Sequence, residues 1–153
     1  MKTIKHFIAT FILFFSAAAS AQQISKAELQ VTGLTCSMCS KATETSLRTL
    51  SFISDITPDL NNNLFVITFK KDSKVDIASI KEKVEDAGFS VGGMSATINF
   101  NQTKIGEDGQ VAVNGQTYQF TNVKSRVLNG DVKAILSDKD LKSKSTPVYR
   151  LSI

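Results

Sequence analysis

The residues in this chain that could do chemistry are Cys36 and Cys39, the only two cysteines among its 153 residues. They follow a predicted strand and lie at the start of a predicted helix. Two thiols at this spacing can converge on one ion, and the amides and dipole of the helix N-terminus favour thiolate over thiol. Thiolates are soft donors. Two of them without imidazole or carboxylate suit a soft ion of low coordination number, with Cu(I) the first choice and Hg(II), Zn(II) and Cd(II) left open.

The same pair also has a redox interpretation, because C-x-x-C spacing occurs in thiol-disulfide proteins and in simple disulfides. We favour metal binding. Lys41, one turn into the helix, either lowers the pKa of the thiols or is an ordinary solvated residue. Met38, between the cysteines, is predicted to be an exposed docking residue rather than a third ligand, and Met94 is predicted to be a linker residue.

The composition excludes several classes of function. The single histidine, His6, lies in a predicted signal segment. The remaining chain therefore has no histidine for acid–base catalysis, for a Ser-His-Asp triad or for a metal site. Two cysteines are also too few for a closed four-ligand zinc site within one chain. We expect a binding protein and no enzymatic activity.

Residues 1–21 are typical of a cleavable signal peptide. Lys2 and Lys5 precede an apolar run over residues 7–15, and small residues then lead to a cut after about Ala21. The apolar run is too short to predict a membrane span. Without the two lysines of this segment, the net charge falls from +4 to +2, which is too small to indicate binding to nucleic acid. We expect a periplasmic or secreted protein without stable membrane insertion.

Six elements are predicted to position the cysteines. In chain order they are a strand at 27–31, a helix at 37–50, a strand at 53–57, a strand at 64–69, a helix after Asp76 and a strand from Phe89. The order strand, helix, strand, strand, helix, strand is the ferredoxin-like βαββαβ plan. Pro58 donates no ladder hydrogen bond, so we expect the second strand to stop there and to lie at a sheet edge.

Both helices show the 3.6-residue period. The inward row predicted for the first helix is thin and partly polar: Cys39, Ala42, Thr43, Ser46, Leu47 and Leu50. The second helix has a capping Asp76 and staple positions at Val75 and Ile80. Its apolar face comprises Ile77, Ile80, Val84 and Ala87.

The remainder of the chain is predicted as a small all-β, hairpin-rich domain over residues 94–153. It follows a domain over residues 22–93, with a Gly-rich joint at 92–95. Asn114-Gly115 and Asn129-Gly130 each predict the tip of a hairpin. Asp108-Gly109 predicts a turn, 148–153 a closing strand, and 138–142 a short helical turn. The predicted fold class is α+β.

Residues 26–91 resemble the heavy-metal-associated domain family of copper chaperones, periplasmic mercury-binding proteins and metal-pump N-terminal domains. The matching residues are Gly33, Thr35, Cys36, Cys39, Leu47, Leu50, Ile53 and Gly88-Phe89. The resemblance implies a βαββαβ sandwich, an ion held by the two cysteines, and Phe89 packed near the metal loop. Met38, Thr43 and Ser46 depart from the family pattern.

The resemblance and the cysteine pair together predict an exported Cu(I) chaperone or scavenger that transfers its ion by ligand exchange. A metal-transporting ATPase or another exported metal acceptor is the expected partner. Two alternatives stay open: a thiol-disulfide redox protein that uses the same pair, and a metal-responsive interaction module in which residues 95–153 bind a partner.

Overall fold

The computed structural model describes residues 23–113, 116–121, 127–137 and 148–153. The predicted signal segment lies outside these residues. The first six elements follow the predicted order: β1 Gln23–Thr32, α1 Ser37–Arg48, β2 Ile53–Asp59, β3 Leu64–Phe69, α2 Ile77–Asp86 and β4 Ser90–Lys104. The ferredoxin-like prediction is therefore confirmed. No helix in these residues is long and apolar enough to cross a bilayer.

Within the described ranges, the strands form one eight-stranded sheet in the order β2-β3-β1-β4-β7-β8-β6-β5. The edge position predicted for β2 is confirmed. The prediction that the strand stops at Pro58 is wrong, because β2 continues to Asp59, with Pro58 opposite Phe65. A proline is tolerated there since an edge strand has one side without a partner, so the missing N–H costs no ladder hydrogen bond.

The buried face of α1 is rotated from the predicted one. Thr43 and Leu47 are buried as expected, whereas Ala42 is exposed and Ser40 and Glu44 are buried instead. Polar residues are tolerated on this face where hydrogen bonds satisfy them. The Thr43 hydroxyl donates to the Cys39 carbonyl at 3.1 Å.

Two side-chain networks fasten α1 to its neighbours. The Ser46 hydroxyl donates to the Lys83 carbonyl of α2 at 2.8 Å. Arg48 pairs with Glu44 at 2.8 Å and donates to the Ile56 carbonyl of β2 at 2.9 Å. The hydrogen bond from Arg48, helped by Lys41, holds the pKa of Glu44 below its usual value. Hydrogen bonds therefore help to hold α1 against α2 and β2, where its buried face has few apolar side chains.

The second helix forms as predicted. The Asp76 carboxylate accepts the Ala78 N–H at 3.0 Å and caps α2. The inward side chains Ile77, Ile80 and Val84 are buried.

The C-terminal part is rich in strands, as predicted: β5 Gln110–Val113, β6 Gln116–Thr121, β7 Val127–Leu136 and β8 Val148–Ser152. The predicted joint at residues 92–95 lies inside β4, which pairs with β1 on one side and with β7 on the other. The division into two folding units stays a prediction. The structure adds that both parts share one sheet.

The turn predictions have mixed outcomes. β5 and β6 pair as an antiparallel hairpin with Val113 opposite Gln116, and its tip, Asn114-Gly115, lies outside the described residues. Asp108-Gly109 belongs to a turn closed by the Gly109 N–H and the Gly106 carbonyl at 3.1 Å.

The hairpin predicted at Asn129-Gly130 is wrong. These residues lie within β7, where Gly130 has φ +80° and stands opposite Phe100 next to a register shift. A glycine with positive φ is as suited to a bulge as to a turn. The strand at 148–153 is confirmed as β8, and the helical turn predicted at 138–142 lies outside the described residues.

The buried apolar side chains form one cluster that includes residues of both parts. Met94 belongs to it at 4% exposure, so its prediction as a linker residue is wrong. In the C-terminal part, the Tyr118 and Tyr149 rings stack with centroids 5.8 Å apart. Burial raises the pKa of Tyr118 well above its usual value, and the nearby Tyr149 and Asp76 add to this effect. The two rings therefore place β6 and β8 in the same core as the rest of the chain.

We predict that Gly109→Ala destabilises the protein more than Gly130→Ala. Both glycines have positive φ, which costs an alanine about 1–2 kcal/mol. A Cβ at Gly109 would also lie 2.6 Å from the Phe120 carbonyl oxygen, whereas nothing lies within 4 Å of one at Gly130. Urea unfolding of both variants measures the difference, and equal losses would contradict the close contact.

Candidate metal-binding loop

The two cysteines lie where β1 passes into α1. Cys36 is the N-cap of α1 with extended backbone, and its Sγ accepts the Cys39 N–H at 3.1 Å. The Cys36 carbonyl accepts the N–H groups of Cys39 and Ser40 at 3.1 and 3.2 Å. The predicted position of the sulfurs at a helix N-terminus is therefore what the structure shows.

The structure brings the predicted pair together. Cys36 and Cys39 are joined by a disulfide, with Cα atoms 5.2 Å apart. Cys36 is exposed, and Cys39 is half-buried and packs against the core. The loop therefore presents one sulfur to solvent and holds the other against the protein. After reduction the same backbone positions would leave two thiols close enough to share one ion.

Residues 33–39, which connect β1 to the first turn of α1 and contain both cysteines, are called the cysteine loop. Phe89 lies against the beginning of this loop. Gly33 has φ +92°, and the nearest atom to a Cβ built on it is Cδ1 of Phe89, at 3.6 Å. The backbone N–H of Phe89 donates to the Val84 carbonyl at 3.1 Å, which holds the residue at the end of α2. This position agrees with the expectation that Phe89 packs near the loop.

The other sulfur and charge candidates are placed differently. Lys41 pairs with Glu44 at 3.2 Å, so its ammonium group has a carboxylate partner within α1. The Met38 side chain is 75% exposed, whereas Met94 is in the core. Within the described ranges, no group of three or more His, Cys, Asp or Glu side chains could hold a metal ion. The donor set of the loop is therefore two sulfurs, which fits a soft ion of low coordination number.

A cavity of about 210 Å³ lies between the cysteine loop and the β2–β3 turn. Its lining consists of Leu34, Thr35, Cys36, Ser37, Ser40, Leu60 and Asn63. The turn is held beside β1 by the Val31 N–H, which donates to the Asn63 carbonyl at 3.0 Å. The contributions of Ser40, Leu60 and Asn63 to this cavity were not predicted from the sequence. Ser40 could have been predicted to lie near Cys36, because it follows Cys36 by four residues on the same side of a helix.

We predict that Phe89→Ala lowers the free energy of unfolding by about 3 kcal/mol, the lower end of the range for aromatic truncation, because the side chain is only half-buried. It should also speed the reaction of the reduced cysteines with an aromatic disulfide reagent, because the loop loses its cover. Phe52→Ala is the matched control: Phe52 is half-buried too, but lies beside Phe69 at the other end of the sheet. Equal thiol reactivity in both variants would contradict the covering role.

Comparison with known proteins shows which family the region around this loop resembles. The heavy-metal-associated domain family matches residues 28–90. The copper chaperone CopZ of Bacillus subtilis is 36% identical over 63 residues, which are 41% of this chain and 90% of the chaperone. The solved structure of a CopZ metallochaperone is 30% identical, covers 44% of this chain and 98% of its own, and has a TM-score of 0.41.

A much larger relative shares the same region. The protein named "Probable copper-transporting ATPase" of Arabidopsis thaliana is 35% identical over 94 residues, or 61% of this chain. The chain spans only 9% of the length of that ATPase. This chain covers nine-tenths of the Bacillus chaperone, and the region that matches the family includes both cysteines. The chain therefore belongs to the heavy-metal-associated domain family.

Proposed function

We propose that the reduced protein binds Cu(I) between the thiolates of Cys36 and Cys39 and passes it on by ligand exchange. It would thus serve as a chaperone or scavenger and not as an enzyme. The observation that carries this proposal is the cysteine pair itself. Both sulfurs stand at the N-terminus of α1, close enough to bond to each other, and one of them is exposed.

Several features support the choice of ion and mechanism. Two soft sulfurs without further donors suit Cu(I), and the helix N-terminus favours the thiolate form that a metal requires. The copper named in the matched chaperone and ATPase points to the same ion. Hg(II) fits two thiolates as well, and Zn(II) and Cd(II) fit less well because they take more ligands. The exposure of Cys36 lets an incoming thiolate or thioether reach the ion before the first bonds break.

We further propose that the protein is exported and acts in the periplasm or outside the cell, as the signal-like segment predicts. Its partner would be a metal-transporting ATPase or another exported metal acceptor. In an oxidising compartment the cysteine pair closes as a disulfide, which is the state in the structure. Loading with Cu(I) then requires prior reduction.

A thiol-disulfide redox protein is the second candidate, and the disulfide is the observation that favours it. This candidate predicts catalytic turnover of the pair, whereas the first predicts stoichiometric binding of an ion. A metal-responsive interaction module, in which the C-terminal strands bind a partner, is a third candidate.

We predict that Cys36→Ser lowers the affinity for Cu(I) by orders of magnitude while the apo fold survives, because serine is a favoured N-cap and the position is exposed. Reduced wild type, Cys36→Ser and Cys39→Ser are titrated with Cu(I) against a strong chelator, and insulin reduction is assayed in parallel. Equal affinity in wild type and variants would overturn the assigned site. Insulin reduction by the wild type would favour the redox candidate.

We predict that Met38→Ala leaves the affinity for Cu(I) within about tenfold, or ~1.4 kcal/mol, because the thioether points into solvent. Transfer of Cu(I) to an acceptor should slow, since an exposed methionine offers an adaptable apolar contact. Ile135→Ala, which removes a side chain of 58% exposure on β7, is the control and should leave transfer unchanged. A third Cu–S distance in X-ray absorption, lost in Met38→Ala, would show that the thioether is a ligand.

A further inference from the structure

The cavity beside the cysteine loop is lined by one cysteine of the disulfide and not by the other. Cys36 lines it, and Cys39 does not. Cys39 instead packs against the hydrophobic core. A molecule in the cavity would therefore meet the disulfide from the Cys36 side.

The cavity contains a buried hydroxyl without a partner. Ser40 is 6% exposed and lines the cavity, and its side chain forms no hydrogen bond with any residue in the described ranges. Its backbone N–H, by contrast, donates to the Cys36 carbonyl. Buried hydroxyls nearly always have a partner, because burial without one is costly. The Ser40 hydroxyl is therefore available to a ligand.

The other polar groups around the cavity favour a negatively charged ligand. Thr35 and Ser37 add two hydroxyls to the lining. The cavity also borders the N-terminus of α1, whose first turn contains no acidic residue. Unpaired amides and the helix dipole favour an anion at such a place. A carboxylate fits these donors, while Leu34 and Leu60 supply apolar walls for a short carbon chain.

The size of the cavity restricts the ligand further. Its volume of about 210 Å³ is below the range of roughly 300–1,000 Å³ that accommodates drug-sized molecules. This volume favours a small ligand over a drug-sized one. The ligand also needs a chemical group that reacts with the sulfur of Cys36, and a thiol is such a group.

We propose that this cavity binds a low-molecular-mass thiol that carries a carboxylate and directs its sulfur to Cys36, so that the thiol reduces the disulfide. The electron pair of the thiolate forms a new S–S bond to Cys36, and the pair of the Cys36–Cys39 bond leaves with Cys39 as thiolate. A second thiol molecule attacks the mixed disulfide, releases Cys36 as thiolate and departs as the symmetrical disulfide. Two thiols are oxidised, and the protein gains two electrons.

The order of attack follows from access. Exchange depends on which sulfur the thiolate can reach and on how well the other sulfur leaves. Cys36 is open to solvent and lines the cavity, while Cys39 is half-buried and packs against the core, so an incoming thiolate reaches Cys36 first and Cys39 is the leaving group. The reaction concerns the oxidised, metal-free protein, so it stands or falls independently of which ion the reduced pair binds.

The test measures how fast 3-mercaptopropionate and 2-mercaptoethanol reduce the oxidised protein. Each rate is normalised to that of the same thiol with a small linear disulfide, which removes differences in intrinsic reactivity. We expect the rate with mercaptopropionate to saturate and to exceed the normalised rate with mercaptoethanol. Acid quenching and peptide mass spectrometry should place the mixed disulfide on Cys36.

The variant Ser40→Ala should lower the preference for mercaptopropionate by about fivefold, the effect of one hydrogen bond. Thr45→Ala is the control, because Thr45 lies on the exposed side of the same helix. Leu60→Trp, which narrows the cavity from the exposed β2–β3 turn, should slow mercaptopropionate without touching α1. A lower preference in both variants would show loss of the cavity site, because Leu60→Trp lies outside α1 and does not act by damaging the helix.

Three results would overturn the proposal: rates that stay linear in mercaptopropionate and match those of mercaptoethanol, a mixed disulfide on Cys39, or equal preference in wild type, Ser40→Ala and Leu60→Trp. None of these results bears on binding of Cu(I) by the chemically reduced protein, which is measured separately.

Discussion

The antiparallel pairing of β4 with β1 is the constraint on which the rest of the structure depends. It sets Ser90 opposite Thr32, so that Phe89 reaches the cysteine loop and covers Gly33. The same strand then continues to Lys104, where its second side is occupied by β7. One strand therefore determines both the cover of the site and the attachment of the C-terminal strands. The site and the extension are connected through the backbone of a single element.

Much of this arrangement could be predicted where one residue type has one favourable environment. Asp76 before an apolar period predicted α2, and Pro58 predicted an edge, because a cap and a missing N–H have few alternatives. Prediction failed where a residue type has two favourable environments. Asn129-Gly130 suits a bulge as well as a hairpin, and Met94 after two glycines suits a strand as well as a linker. Such choices are decided by partners distant in the chain.

The cysteine loop and its surroundings show the same division. The pair at the beginning of a helix could be predicted from spacing alone, whereas the buried face of α1 could not. Ser46 is satisfied by a carbonyl of α2, and Glu44 is satisfied by Arg48, which also donates to the Ile56 carbonyl of β2. The cavity beside Cys36 depends on the β2–β3 turn, whose position follows from strand register. Local sequence therefore gives the donor atoms, and tertiary structure decides what can approach them.

The position of β7 also determines how another protein can approach. An unpaired strand edge is a template for a further strand, and the two outermost strands of this sheet offer little of one in the described residues. The outer side of β4 is occupied by β7, β2 has no N–H at Pro58, and β5 is only four residues long. Edge-to-edge association is thus disfavoured at β2 and β5. On its side away from β4, β7 pairs with β8 only at Ile135 and Leu136, so residues 127–134 have no strand partner there within the described residues. The exposed sulfur of Cys36 lies in the loop between β1 and α1, so an approaching protein can reach it without pairing with a strand edge.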